Sequence, residues 1–459
     1  MAFSDELSGK LAELRRAATD AYDEWLRARW TNDLKISDDG TRVVEDQGVV
    51  YDAEGAINEE QELYDQFLAD VDTLVERFTK YSPLDLEVLF DVGSRLSRGD
   101  ISTLGGHWGA DPYSGERPRK IVDRIYYAAG IALQISEPDD MRSEGFWRGP
   151  AADAFNDHFL DRLGKFAAKQ IFCGVYLANV VRIFRNATRR TQNDVKAIAD
   201  ACIAALRNEG GSLSEDLSDA SLFLDLIAFV LPGPLDTFAD VGSIALGQAA
   251  DAAEENEEPP EWSVDGSGSL DPWVAINSTA EVLTSLEERL AREDDRLQDD
   301  LDQDVSDYFY SASFETRPDE PEPPDRVEGQ FLEATVETVY EYGAYYLPAA
   351  AAQYDEAQQL LEECVIPDWF GELVYPRSRT EFIVARNGLR PALVWTSDYL
   401  TDAGEALVTI SNEYVFQDAD IAADFERLKE ELPPPPSADY SYEPTYPQRP
   451  PRQELPNAG

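Results

Sequence analysis

Apolar residues recur at three- and four-residue steps through most of this chain, the spacing of one buried helix face. Leu7, Leu11, Leu14, Ala18, Tyr22, Trp25 and Leu26 open the sequence in that way. The period breaks between Asn32 and Tyr51. There, Leu34–Ser37 and Arg42–Val44 flank Asp38-Asp39-Gly40, and two short runs around a Gly-bearing turn predict a small β-hairpin. Helical spacing returns with Leu63, Phe67, Val71, Leu74 and Phe78. A shorter helix is expected from Pro83, because proline suits a first helical turn.

Ser102–Pro118 is loop-like, rich in Gly and Pro, and Ile121–Ile135 is the next helix candidate. No proline occurs from Ala151 to Arg207, and Phe155, Phe159, Leu163, Phe166, Leu177, Val180, Val181, Phe184, Val195, Ile198 and Cys202 keep the apolar pattern. One helix over that stretch would be roughly 85 Å long. Gly164 and Gly174 are expected to kink it, and Gly210-Gly211 to end it. Leu222–Ala250, interrupted by Pro232-Gly233-Pro234, predicts a helical hairpin. Asp251–Asp271 and Glu315–Asp325 are acidic, Pro-bearing linkers on either side of a long acidic helix at Trp273–Tyr310. Val327–Cys364 is helical with a break near Pro348, and Trp369–Leu389 is irregular enough to hold two short strands.

Leu393, Leu400, Leu407, Tyr414, Ile421 and Leu428 are spaced by seven, with Ala403 and Ile410 between them. That heptad seam requires a partner helix. Four prolines follow Leu432, and a Pro- and Tyr-rich tail to Gly459 is expected to be disordered. The fold class expected is mainly α: an elongated helical bundle with long antiparallel helices, a small N-terminal hairpin and a disordered C-terminal tail. Five segments divide the sequence: 1–120, 121–250, 251–326, 327–431 and 432–459.

Charge narrows the function. The chain carries 39 Lys+Arg against 91 Asp+Glu, a formal net charge of -52 over 459 residues. Such a surface repels phosphate backbones and anionic lipid, which argues against nucleic-acid or membrane-surface binding. A hydrophobic content of 43% still supports a packed core. Most basic residues are arginine, which fits either a halophile's acidic proteome or a GC-rich genome. The longest apolar run, Leu222–Leu231, is too short to span a bilayer. Met1–Arg16 has early acids and no apolar segment, so no signal peptide is expected there.

Enzyme chemistry is not indicated. Cys173, Cys202 and Cys364 lack paired spacing and are expected as buried thiols. No nucleophile elbow, phosphate-binding loop, zinc motif or dinucleotide fingerprint occurs. Asp300, Asp302 and Asp304 have calcium-loop spacing, but Val305 and Ser311 stand where Gly and Glu are required, so a solvated helix face is expected. His158 reads as a packing residue. No catalytic residue, metal or cofactor is assigned.

Trp147-Arg148-Gly149, followed by Pro150-Ala151-Ala152-Asp153-Ala154-Phe155, has the build of a tight turn into a helix. Gly149 permits the reversal, Pro150 suits the first turn, and the alanines allow close helix approach. From Ile121 to Arg207 the stretch resembles the WXG family of type VII (ESX) secretion proteins, especially long actinobacterial variants. Trp147, Gly149, Ala151, Ala152, Ala154, Phe155 and Phe159 match, although family members are single hairpins and this chain is several times longer. Tyr414-Val415-Phe416-Gln417-Asp418 is similar to the family's Y-x-x-x-D export signal. Its spacing puts Tyr414 and Asp418 on one helix face. A second pentad, Tyr81 to Asp85, is interrupted by Pro83.

The resemblance implies a non-enzymatic substrate or structural component of a type VII system. Its partners would be the secretion ATPase or a WXG-type helical protein, and it would be cytoplasmic before export and secreted or cell-surface afterwards, with oligomerisation following. In that family the two motifs often meet across a hairpin pair, so the C-terminal helix is expected to fold back beside the Trp147 turn. The site residues implied are Trp147, Gly149, Phe155, Tyr414 and Asp418. The alternative is an acidic structural or scaffold protein of a halophile or its virus.

Overall fold

Helix α1 (Phe3–Arg29) buries Leu7, Leu11, Leu14, Ala18, Tyr22 and Leu26 along one face. Its acids Asp5 and Glu6 lie in the first turn and Arg27 and Arg29 in the last, both favourable to the helix dipole. The structure is a computed structural model that describes residues 2–31, 33–46, 53–97, 120–133, 155, 159–207, 271–306, 309 and 336–417. The expected hairpin is present: β1 (Leu34–Ile36) pairs antiparallel with β2 (Val43–Glu45), Ile36 opposite Val43. Gly40 supplies the turn's positive φ of 70°. Asp39 accepts hydrogen bonds from Ser37 and Thr41, which hold its pKa down at about 2. The Ile36 amide donates to Asp23 of α1 at 2.6 Å, and Tyr64 of α2 (Ala53–Thr79) donates to the Gly40 carbonyl at 2.8 Å.

Helix α3 (Leu86–Leu96) begins later than Pro83, because the Asp85 side chain accepts from the Glu87 amide at 2.9 Å and sets the N-cap there. After α4 (Ile121–Leu133) comes α5 (Asp161–Leu206), 46 residues in one helix of roughly 69 Å. Neither Gly164 nor Gly174 interrupts it. Instead Gly174 admits α4: a Cβ there would stand 2.8 Å from a Val122 methyl. By length and composition α5 could cross a membrane, and 89% of its most apolar window is buried inside this protein. Residues 170–181 are buried without interruption, as expected of a helix packed by α1, α3, α4 and later helices on all sides.

The acidic helix is α6 (Pro272–Val305), capped by Asp271 with Pro272 in its first turn. The next helical run does not break at Pro348. Helix α7 (Val336–Glu341) passes through a π-helical segment at Tyr342–Tyr346 into α8 (Leu347–Glu362). Pro348 has no N–H for the Ala344 carbonyl, and the Leu347 amide reaches Tyr342, five residues back, so the chain widens by one residue and continues.

The irregular stretch around Trp369–Leu389 contains no strand. It forms α9 (Asp368–Leu373) and the first turns of α10 (Pro376–Gln417), which also runs through Pro391. Two observations explain this correction. The first amides of α10 are capped from another helix, since Asp294 of α6 accepts from Arg377 N and Ser378 N, both at 2.9 Å, and from the Ser378 hydroxyl at 2.6 Å. Phe370 and Phe382 are then buried beside Phe184 of α5, and Tyr375 is buried against Phe370.

The described part of the heptad seam, Leu393 to Leu407, finds its partner within the chain. Leu393, Leu400 and Leu407 are buried, and α10 packs chiefly on α8, with the π segment, α6 and α5 also against it. The described parts of all these elements share one apolar core. The structure is thus a mainly α bundle of long helices with one small N-terminal hairpin. The candidate segments at Ser102–Pro118, Leu222–Ala250, Asp251–Ser269, Glu315–Asp325 and beyond Gln417 lie outside the described residues, as does His158.

Candidate functional site

Helices α5 and α10 run antiparallel, and their contacts can be read as a register. Phe184 lies 6.1 Å from Phe382, centroid to centroid. Further toward the start of α5, Gln170 donates to the Ala392 carbonyl at 3.2 Å and to the Thr396 hydroxyl at 2.8 Å. Earlier still, Phe159 stacks on Tyr399 at 4.8 Å. Each step toward the start of α5 is matched by a step toward the end of α10.

Of the five implied site residues, Phe155 is the one whose side chain is described. It stacks on Phe159 at 4.7 Å and meets Tyr342 edge-on at 6.3 Å. Tyr342, in the π segment, donates its hydroxyl to the Ala132 carbonyl at the end of α4. Burial drives its phenol well above the usual tyrosine range, so it remains a neutral donor. Tyr346 stacks on Tyr342 at 5.9 Å, and its neighbour Glu341 is raised by burial. Phe155 and Phe159, just before α5, therefore rest on an aromatic cluster built by the π segment and α10.

Tyr414 continues α10 at the next heptad position after Leu407, with its backbone helical to Gln417. Trp147, Gly149 and Asp418 lie outside the described residues. The competing pentad is absorbed by the fold: Tyr81 is buried and Asp85 is the cap of α3.

The acidic helix α6 is braced to its neighbours by charge. Arg77 of α2 donates to the Ala280 carbonyl, the Thr284 hydroxyl and Glu287 at 2.8–3.1 Å. Lys80 also pairs with Glu287, whose carboxyl is held below its usual range by these two cations despite partial burial. Glu293 accepts from Tyr375 at 2.6 Å and from Arg190 of α5 at 3.1 Å. Asp194 pairs with Arg289, but its own burial raises its pKa more than the guanidinium lowers it. Arg190 of α5 thus meets an acid of α6, and Arg289 of α6 meets an acid of α5, within the chain. Cys173, Cys202 and Cys364 are buried and outside any disulfide, and burial pushes Cys202 up to about 11 and Cys364 to about 12. Among the described residues, no group of three His, Cys, Asp or Glu side chains is placed to hold a metal ion.

Sequence reading passed over Tyr342, Tyr399, Gly343 and Gly404. Gly404 carried a signal: a glycine inside a helix costs about 1 kcal/mol against alanine and so marks a packing need. No protein-family model, curated protein or solved structure matches this chain.

Proposed function

We propose that this chain is a non-enzymatic substrate or structural component of a type VII-like secretion system. Its export would be recognised through the Trp147–Gly149 turn together with Tyr414 and Asp418. The observation that carries the reading is the antiparallel register of α5 and α10. Trp147 lies twelve residues before Phe159, and Tyr414 lies fifteen after Tyr399, its stacking partner. We propose that the segment leading into α5 and the segment leading out of Tyr399 on α10, adjacent at the Phe159–Tyr399 stack, carry the two motifs of one export signal. Burial of Tyr81 and the use of Asp85 as the cap of α3 favour Tyr414 and Asp418 as the recognised pentad. The partner is then the system's ATPase or a WXG-type helical protein.

The test is secretion of the full chain by a host with a type VII system. Trp147→Ala, Tyr414→Ala and Asp418→Ala are each expected to stay in the cell while keeping wild-type far-UV circular dichroism. Normal secretion of all three contradicts the reading. A second reading, an acidic scaffold from a halophile, is favoured by the net charge of -52. It requires unfolding on dilution from molar salt, as self-repulsion loses its screening; a fold that holds in ordinary buffer rejects it.

A further inference from the structure

The π segment and α10 touch backbone to backbone at Gly343 and Gly404, both buried. A Cβ on Gly343 would stand 2.7 Å from the Gly404 carbonyl oxygen and 3.0 Å from the Val408 amide nitrogen. A Cβ on Gly404 would stand 2.7 Å from the Gly343 carbonyl oxygen. No side-chain rotation relieves such contacts, so any larger residue must move one helix. By contrast, Gly40, Gly93, Gly174 and Gly371 meet side chains, and Gly9 meets nothing within 4 Å.

Three features converge here. The π segment presents the Gly343 carbonyl to α10. Tyr342, next to it, is pinned by its bond to Ala132 and its contact with Phe155. Helix α10 then continues without a break to Gln417, so that Tyr414 lies ten residues beyond Gly404 on the same rod, about 15 Å along its axis. Helix α10 also packs on α7, and the crossing fixes the direction of that rod.

We propose, resting on the export reading above, that Gly343 and Gly404 are positioning residues of the export signal: their close crossing aims the last turns of α10, and with them Tyr414, toward the receptor. An ordinary packing contact would affect export only through stability, whereas a positioning contact affects it at equal stability.

The experiment compares secretion of full-length Gly404→Leu, Gly404→Ala, Tyr414→Ala, Leu14→Ala and Gly9→Ala, with thermal unfolding measured on each. Leu14 is buried in α1, and its loss destabilises without touching α10. Gly404→Leu is expected to cut secretion about tenfold or more and Gly404→Ala by about threefold, the scale of a displaced recognition contact. Leu14→Ala should lower the melting temperature at least as much as Gly404→Ala while secretion stays at wild type, and Gly9→Ala should leave secretion unchanged. If Gly404→Leu does not fold, the folded fraction of Gly404→Ala decides. Folded Gly404 variants secreted at the wild-type level, with Tyr414→Ala retained, overturn the role of the crossing alone. Equal secretion defects in Leu14→Ala and Gly404→Ala also overturn it. Normal secretion of Tyr414→Ala overturns the export reading and this proposal with it.

Discussion

The aromatic junction of α1, α2 and α6 and the crossing of α10 over the π segment both fasten helices distant in sequence, using opposite side chains. At the junction, Tyr22, Trp25, Tyr64, Phe67 and Trp273 pack with ring centroids 4.8–5.6 Å apart. Large rings fill the space there, and helix positions follow from their bulk. At the crossing, two glycines remove bulk, and helix positions follow from main-chain contact. A junction of rings relaxes around a lost atom by degrees; a main-chain contact tolerates no added atom. The first arrangement suits a scaffold, and the second suits an element whose direction matters.

Substitutions can break or sharpen this contrast. The largest effect belongs to the junction: Phe67→Ala should cost about 4 kcal/mol in urea unfolding, since Phe67 is fully buried against the rings of Tyr22 and Trp273. A loss under ~1 kcal/mol would mean the rings do not hold α6. Next is Gly404→Ala, which should cost ~2 kcal/mol through overpacking, although the same change favours a helix elsewhere. Stabilisation by Gly404→Ala would remove the crossing from the account. The smallest effect is at Gly9, exposed in α1 with open space around it. Gly9→Ala should stabilise by roughly 0.5–1 kcal/mol, so the two Gly→Ala changes have opposite signs.

Much of the fold was legible because it is local. The period of Leu7 to Leu26 and the Gly-bearing turn at Gly40 each carry their own instructions, and α1 and the hairpin follow from them. The start of α10 was not legible, because its cap is supplied by Asp294, which lies on α6. The irregular pattern at Trp369–Leu389 left room for two short strands, and tertiary capping with burial beside Phe184 overrode it. The heptad partner was legible as a need but not as an identity, since a seam does not say which face it meets. Of the candidate site, Phe155 was legible as a motif residue. Its partner Tyr342 was not, because nothing local links position 155 to a π turn at 342.

The central proposal is that the Trp147 turn and Tyr414 meet as one export signal. The most direct measurement is a spin-label distance between Arg148→Cys and Val415→Cys, flanking the motif residues without replacing them. The native thiols are buried and remain unlabelled in the folded chain. Packed helices have axes about 8–10 Å apart, so with the label arms the account predicts a main distance near ~20 Å. A main distance beyond ~45 Å, the span of several more helix diameters, would contradict it.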